Sequence, residues 1–303
     1  MTDVNANDIA IFLNTELIGD GMYVNSVSSL SSPKNNSLIF AKTTFQLESD
    51  TVALILCNSE AYDQCDKNTS SNYIICSNPR LAFAKVVKHF FVQYKSPQIH
   101  ETAIISGDAN IHPTVSIGAY CVVELGVSIG EGTVLNNNVI VSENVKIGQF
   151  CYIKSGAVIG EEGFGFDFED DKSPVRLPHL GSVRIGNNVE IGSNTVIARG
   201  TLNETLIGDN VKLDDLVFIA HNVVIESGSM IAACAQVSGS VEIGENSWLG
   251  PNSSILQKVK IGSGSTIGIG TIATSDLQSN KKIMGISGLP LRTLVKFMKI
   301  LRP

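Results

Sequence analysis

The chain has little charge and few aromatic side chains: 17 % of its 303 residues are Asp, Glu, Lys or Arg, and 6 % are Phe, Trp or Tyr. The charge it does carry has the wrong sign for broad nucleic-acid binding. A net charge of -7 leaves few of the Lys and Arg contacts to phosphate that such affinity draws on, so no nucleic acid polymer is expected as a partner. Six cysteines occur (Cys57, Cys65, Cys76, Cys121, Cys151 and Cys234), and none forms a CxxC pair. Their spacing sets aside a zinc site and the disulfide framework of a small secreted domain, and no metal is expected. Scattered thiols of this kind suggest the cytoplasm. No apolar run approaches the roughly 18 residues that a membrane-spanning helix needs. MTDVNANDIA lacks the basic segment and apolar core of a secretory leader. Histidine is scarce too: His89, His100, His112, His179 and His221 are the five available imidazoles.

What the chain does have is a six-residue period. An aliphatic residue recurs at every sixth position from Ile105 through Ile111, Ile117 and Val123 to Ile159. The period resumes at Ile185, Ile191 and Ile197, then runs unbroken from Ile207 through Leu213, Ile219 and Ile225 to Ile267. A helix would need a period near 3.6 and an ordinary strand a period of 2. A hexapeptide period predicts a solenoid of parallel β-coils, with the aliphatic residue inward and Gly, Asn or Asp at the corners. Three hexads per triangular coil make 18 residues, and about eight coils in all. The rhythm breaks twice. EEGFGFDFEDDKSPVRLPHLG separates Ile159 from Ile185 and reads as a loop thrown out from a corner; RGTLNET is a smaller irregularity before Ile207.

The flanks differ in texture. Residues 1-98 predict a small α/β domain. LIFAK, VALILC and YIICS read as strands. SNPRLAFAKVVKHFF reads as a helix capped by Asn78, with Pro79 at its first position. Asn7 or Asp8 is expected to cap a short helix ending near Leu13. Residues 99-275 form the solenoid. Residues 276-303 are a C-terminal extension whose LRTLVKFMKILRP predicts a short amphipathic helix with a basic face.

His221 stands out among the imidazoles. It lies in LDDLVFIAHNVVI, two residues after the inward Ile219, with Asp214 and Asp215 about one hexad before it. A carboxylate on one ring nitrogen would leave the other poised as a general base. Spacing alone does not choose between the two aspartates. Gly239 follows His221 by one 18-residue coil, so its N–H, unobstructed by a side chain, could face an oxyanion. His100 and His112 read as surface residues. His179, in the long loop, has no assigned role. Phe164, Phe166 and Phe168 are unusual in a loop, and packing within the loop or against a second subunit explains them as well as ligand contact does.

SNPRLAFAKV, VIGEEGFGF, FIAHNVVI and SGLPL, spread over nearly the whole chain, resemble the UDP-3-O-(3-hydroxyacyl)glucosamine N-acyltransferases of the lipid A pathway. The resemblance implies a left-handed β-helix and a homotrimer with active sites between adjacent prisms. It implies transfer of an acyl group from the phosphopantetheine thioester of acyl carrier protein to the amine of a nucleotide-linked sugar, with no permanently bound cofactor; a CoA thioester is the alternative donor. His221 matches the family's general base, Asp214 its acidic partner and Gly239 the oxyanion glycine. Phe164 and Phe166 become candidate substrate contacts. The sequence departs from the family at three places. Lys258 stands where a second histidine is usual, and Ala198 replaces the acid of IDRG. FAKTTFQ keeps Phe40 of a uracil-stacking F-x-x-N-x-x-Y pattern but has Thr43 and Gln46 at the other two positions; Phe45 is the nearest second aromatic. Two other readings stay open: a short-acyl- or acetyl-CoA enzyme acting on another nucleotide amino sugar for surface polysaccharide, and a non-catalytic trimeric scaffold.

Overall fold

The computed structural model describes residues 3–47, 50–66, 70–92 and 96–285, together with residues 293 and 300. The expected C-terminal helix, with its basic face, and the SGLPL segment lie outside the described residues. The chain divides into two compact units, Met1–Lys95 and Ser96–Pro303. No helix among the described residues is long and apolar enough to cross a membrane.

In the first unit a five-stranded sheet is built on three parallel neighbours, Ser37–Ala41, Ala53–Cys57 and Asn72–Ile75. Ala53–Cys57 is the central strand and is buried along its whole length, as its unbroken aliphatic run requires. Successive side chains of Ser37–Ala41 alternate between two cores. Leu38 and Phe40 join the helix Pro79–Val86, whereas Ile39 and Ala41 face a second cluster. Asn78 caps that helix as expected, its side chain accepting from the Leu81 N–H at 3.2 Å. The first helix starts earlier than expected. Asn5, not Asn7 or Asp8, is its cap and accepts from the Asn7 N–H at 2.9 Å.

The second unit is a parallel β-helix with three faces. A first face runs through Ser116–Ile117, a second through Val122–Val123 and a third through Ser128–Ile129, giving sheets of nine, nine and eight strands. Each strand pairs with the one 18 residues on, as Ile117 with Leu135 and Ile219 with Val237. The solenoid therefore exceeds the eight coils that the uninterrupted repeat implies. It is extended by a bridge from Ile99 to Ile117 at one end and by Ala273, Leu277 and Ile283 at the other.

The inward column of Ile, Val and Leu is almost wholly buried from Ile117 to Ile267. A second inward column two residues earlier holds smaller side chains such as Val139, Ala157, Thr195 and Ser247. The prism narrows towards its corners, and the bulky and small columns fill the taper. Most corners contain a residue in the left-handed region, usually Asn or Gly, as at Asn138, Asn144, Gly156, Asn194 and Asn210. Leu216 (φ 59°) and Lys258 (φ 64°) occupy the same conformation, in which a bulky residue is strained.

Candidate active site

All the breaks in the rhythm fall on one edge of the prism, where the second face turns into the third. Five successive turns stack there: residues 160–181, 198–203, 220–223, 238–241 and 256–259. The long loop leaves between Val158–Ile159 and Ser182–Ile185, so Ile147 pairs with Ile185, 38 positions on instead of 18. RGTLNET leaves the same edge one coil later, stretching the spacing to the 22 positions from Ile185 to Ile207. The next turn is IAHN.

Arg199 fastens the loop to the edge. It is nearly buried. Its Nε donates to the Gly160 carbonyl, its Nη1 to Glu143 Oε1 at 3.0 Å, and its own N–H to the Glu161 carbonyl at 2.9 Å. The outer loop is a hairpin pairing Phe166–Phe168 with Pro174–Arg176. The Arg176 guanidinium lies 5.0 Å from the Phe166 ring centre and ion-pairs with Glu162 at 3.0 Å. Phe164 sits 4.9 Å from Phe166 and is 85 % exposed, so two of the three loop phenylalanines form a small apolar surface on this edge.

The inner loop carries His179, which is 1 % exposed. Its Nδ1 lies 3.0 Å from the Leu177 carbonyl. A carbonyl only accepts, so Nδ1 carries the proton and Nε2 of the neutral ring is a lone pair. That buried Nε2 has no hydrogen-bond partner. The His179 ring stands 5.1 Å from the His221 ring at 67°. Two glycines of EEGFGF let the loop backbone lie against the pair. A Cβ at Gly163 would fall 3.0 Å from His179 Nε2 and 3.2 Å from His221 Cδ2; one at Gly165 would fall 2.8 Å from His179 Cε1.

His221 is half-buried in its turn. Its Nδ1 faces Asn222 Nδ2 at 3.1 Å and Thr201 Oγ1 at 3.5 Å. The Asn222 amide is oriented by its Oδ1, which accepts from the Thr201 N–H at 2.8 Å, so the NH2 group is what meets the ring. The opposite ring edge faces the next coil. A Cβ at Gly239 would lie 2.6 Å from His221 Cε1 and 2.7 Å from Nε2, so only glycine leaves the imidazole where it is. Among the described residues the Gly239 N–H has no acceptor. Burial pulls the His221 pKa below the ordinary imidazole value of 6.5, and the neighbouring His179 adds to the shift. The ring is therefore neutral over most of the physiological range, the form in which it can accept a proton.

The expected site residues fare differently. His221 and Gly239 come together. Asp214 does not join them within one chain. It sits on the edge between the first and second faces, where its Oδ1 accepts from the Asp215 N–H at 2.8 Å; the group beside His221 Nδ1 is an amide. Asp215 shares that other edge, accepting from the Ser193 N–H at 2.7 Å and pairing with Lys154 at 3.1 Å. The Ser193 hydrogen bond and then Lys154 hold its carboxyl below the usual carboxylate range. Lys258 is exposed two coils beyond Asn222, its N–H bonded to the Gly239 carbonyl at 3.0 Å. Phe40 and Phe45 do not form a stacking pair. Phe40 packs on Phe83, with ring centres 5.0 Å apart, in one core of the first unit, and Phe45 is buried in the other. His179, Thr201 and Asn222 were not expected at the site. The signals for them were the glycines of EEGFGF, the second break and the His-Asn pair.

Repeat, fold and edge together define a hexapeptide-repeat transferase: the family described as "Bacterial transferase hexapeptide (six repeats)" matches residues 126–161, 204–239 and 240–271. UDP-3-O-acylglucosamine N-acyltransferase of Coxiella burnetii is 32 % identical over 77 % of this chain and 74 % of its own length. The enzyme of that name from Bordetella pertussis is 29 % identical over 94 % of this chain and 87 % of its own. Among solved structures, LpxA of Acinetobacter baumannii superposes with a TM-score of 0.57 at 30 % identity, covering 66 % of this chain and 77 % of that one. The chain belongs to the UDP-3-O-acylglucosamine N-acyltransferase family and is an acyltransferase.

Proposed function

We propose that this enzyme transfers an acyl group, of the 3-hydroxyacyl type, from the phosphopantetheine thioester of acyl carrier protein to the amine of a UDP-linked glucosamine derivative. This is a step of lipid A, and hence lipopolysaccharide, assembly. The observation that carries the reading is the half-buried, neutral His221 facing an unobstructed Gly239 in the next coil.

In this reading the sugar amine attacks the thioester carbonyl while His221 removes the amine proton. A general base so placed contributes about 10²- to 10⁴-fold. The carbonyl oxygen becomes an oxyanion in the tetrahedral intermediate, and the free N–H of Gly239 stabilises it. Collapse expels the phosphopantetheine thiolate, which takes up the proton. Phe164 and Phe166 offer the apolar surface beside the reacting groups, and the exposed Lys258 ammonium suits a phosphate. No permanently bound cofactor is needed. The enzyme works as a homotrimer in the cytoplasm, the compartment that supplies acyl carrier protein thioesters.

The experiment is a matrix of carrier-protein and CoA thioesters of several lengths against UDP-linked amino sugars. Turnover is expected with carrier-protein thioesters and a glucosamine derivative carrying a free amine. Turnover confined to acetyl- or short-acyl-CoA, or to another nucleotide amino sugar, would overturn the assignment of donor or acceptor.

A further inference from the structure

We propose that His179 is a positioning residue for His221. In the catalytic orientation, its Nε2 accepts a hydrogen bond from a His221 ring turned 180° about Cβ–Cγ. The proposal rests on the reading of His221 as general base.

The hydrogen bonds around His221 motivate it. With Nδ1 facing the Asn222 NH2 group, the neutral ring accepts at Nδ1 and carries its proton on Nε2. That tautomer has no lone pair on the edge facing Gly239, where the amine proton must be taken. Turning the ring by 180° exchanges Nδ1 with Cδ2 and Nε2 with Cε1. The turned ring keeps Nε2 on the Gly239 edge, because Cε1 and Nε2 both border Gly239. Its Nδ1 then stands where Cδ2 stood, beside the space at Gly163 that His179 Nε2 also borders.

His179 is built to receive that proton. Its Nδ1–H is committed to the Leu177 carbonyl, so Nε2 is an acceptor; it is buried and has no partner. A buried acceptor left without a partner is destabilising, and the turned ring satisfies it. The Asn222 NH2 loses one contact but keeps Thr201 Oγ1 at 3.1 Å. The absence of a side chain at Gly163 lets the two rings approach. His179 thus does for His221 what a carboxylate does for a base elsewhere: it holds the Nδ1–H tautomer and frees Nε2. It touches no reacting atom.

Long-range ¹H–¹⁵N correlation spectra of the full chain labelled with ¹⁵N-histidine, above pH 8, report the tautomer of each of the five histidines directly; His221→Gln identifies the His221 signals. The expected wild-type pattern for His221 is Nδ1–H with a bare Nε2. His179→Leu and His179→Phe should shift it to Nε2–H and lower kcat about 10- to 100-fold with KM little changed, the range seen when a supporting partner of a reactive group is lost. His179→Gln, which keeps an acceptor, should restore both. His221 found as Nε2–H in the wild type, a tautomer unmoved by either apolar substitution, or one moved by Asp214→Asn instead would overturn the proposal. Because the tautomer is read without turnover, that failure is distinct from a failure of the general-base reading, which His221→Ala tests by activity.

Discussion

Two edges of the same prism answer the same structural problem differently. At each corner the first N–H of the turn points along the helix axis and needs an acceptor. At several corners away from the His221 turn the next coil supplies one. Asn137 accepts from the Ala119 N–H, Asn187 from the Gln149 N–H, Asp209 from the Asn187 N–H and Asp215 from the Ser193 N–H. On the edge between the second and third faces the ladder stops. Gly239 follows His221, Gln257 follows Gly239, and the Gly239 N–H keeps no acceptor. The same edge holds an unpaired His179 Nε2 and a desolvated His221, whereas Asp215 on its neighbour is fixed by Ser193 and Lys154. One edge commits Asp215 to bracing coils; the other, braced by Arg199 and Asn222, leaves the Gly239 N–H and the buried His179 Nε2 without partners. Stability is thereby separated from chemistry by one face of a prism.

The sharpest way to break the contrast is Gly239→Ala. The backbone there tolerates alanine, but its Cβ would lie 2.6 Å from His221 Cε1 and displace the ring. Steady-state kinetics should show kcat reduced about 10²- to 10³-fold, the cost of losing an oxyanion donor's geometry, with thermal unfolding little altered. A wild-type kcat would show that the imidazole does not depend on the open N–H. Ile219→Ala tests the bracing side. Ile219 is fully buried in the strand that leads into the His221 turn. Chemical denaturation should register a loss of about 2–5 kcal/mol; a loss near zero would mean that the inward column does not hold the coil.

A smaller effect should appear in the pH profile. Burial, and secondarily His179, disfavours the His221 imidazolium, so its proton leaves at lower pH than usual. The base works unprotonated, so kcat/KM should climb with pH through a limb below 6.5. A limb at or above 6.5 would contradict a desolvated His221. Smallest is Lys154→Met on the bracing edge. Its ion pair with Asp215 is half-exposed, so stability should fall by no more than about 1 kcal/mol. Activity should not change, and a large loss would erase the distinction between the edges.

Much of this was legible in the sequence, because the repeat is its own ruler. Eighteen residues per coil place Gly239 against His221 from spacing alone. The ruler should also have separated Asp214 from His221: seven residues is one hexad and a little more, which is one edge of the prism further round. It failed for His179 because the loop breaks the period, and 42 positions of sequence separation then carry no register. Only the glycines at 163 and 165 hinted that something bulky lay against the loop. The count of coils fell short for a related reason. Terminal coils keep main-chain pairing through Ile99 and Leu277 after the aliphatic pattern has faded. Phe40 and Phe45 part company because Phe40 lies within the strand Ser37–Ala41 and packs on one side of the sheet, whereas Phe45, past the end of that strand, is buried in the other core.

The measurement that bears most directly on the unsatisfied edge as the seat of catalysis is kcat/KM of His221→Ala with a working thioester and amino-sugar pair, the fold being checked by circular dichroism. A loss of about 10²- to 10⁴-fold with the β-helix intact is the expected result. Turnover equal to wild type would contradict it.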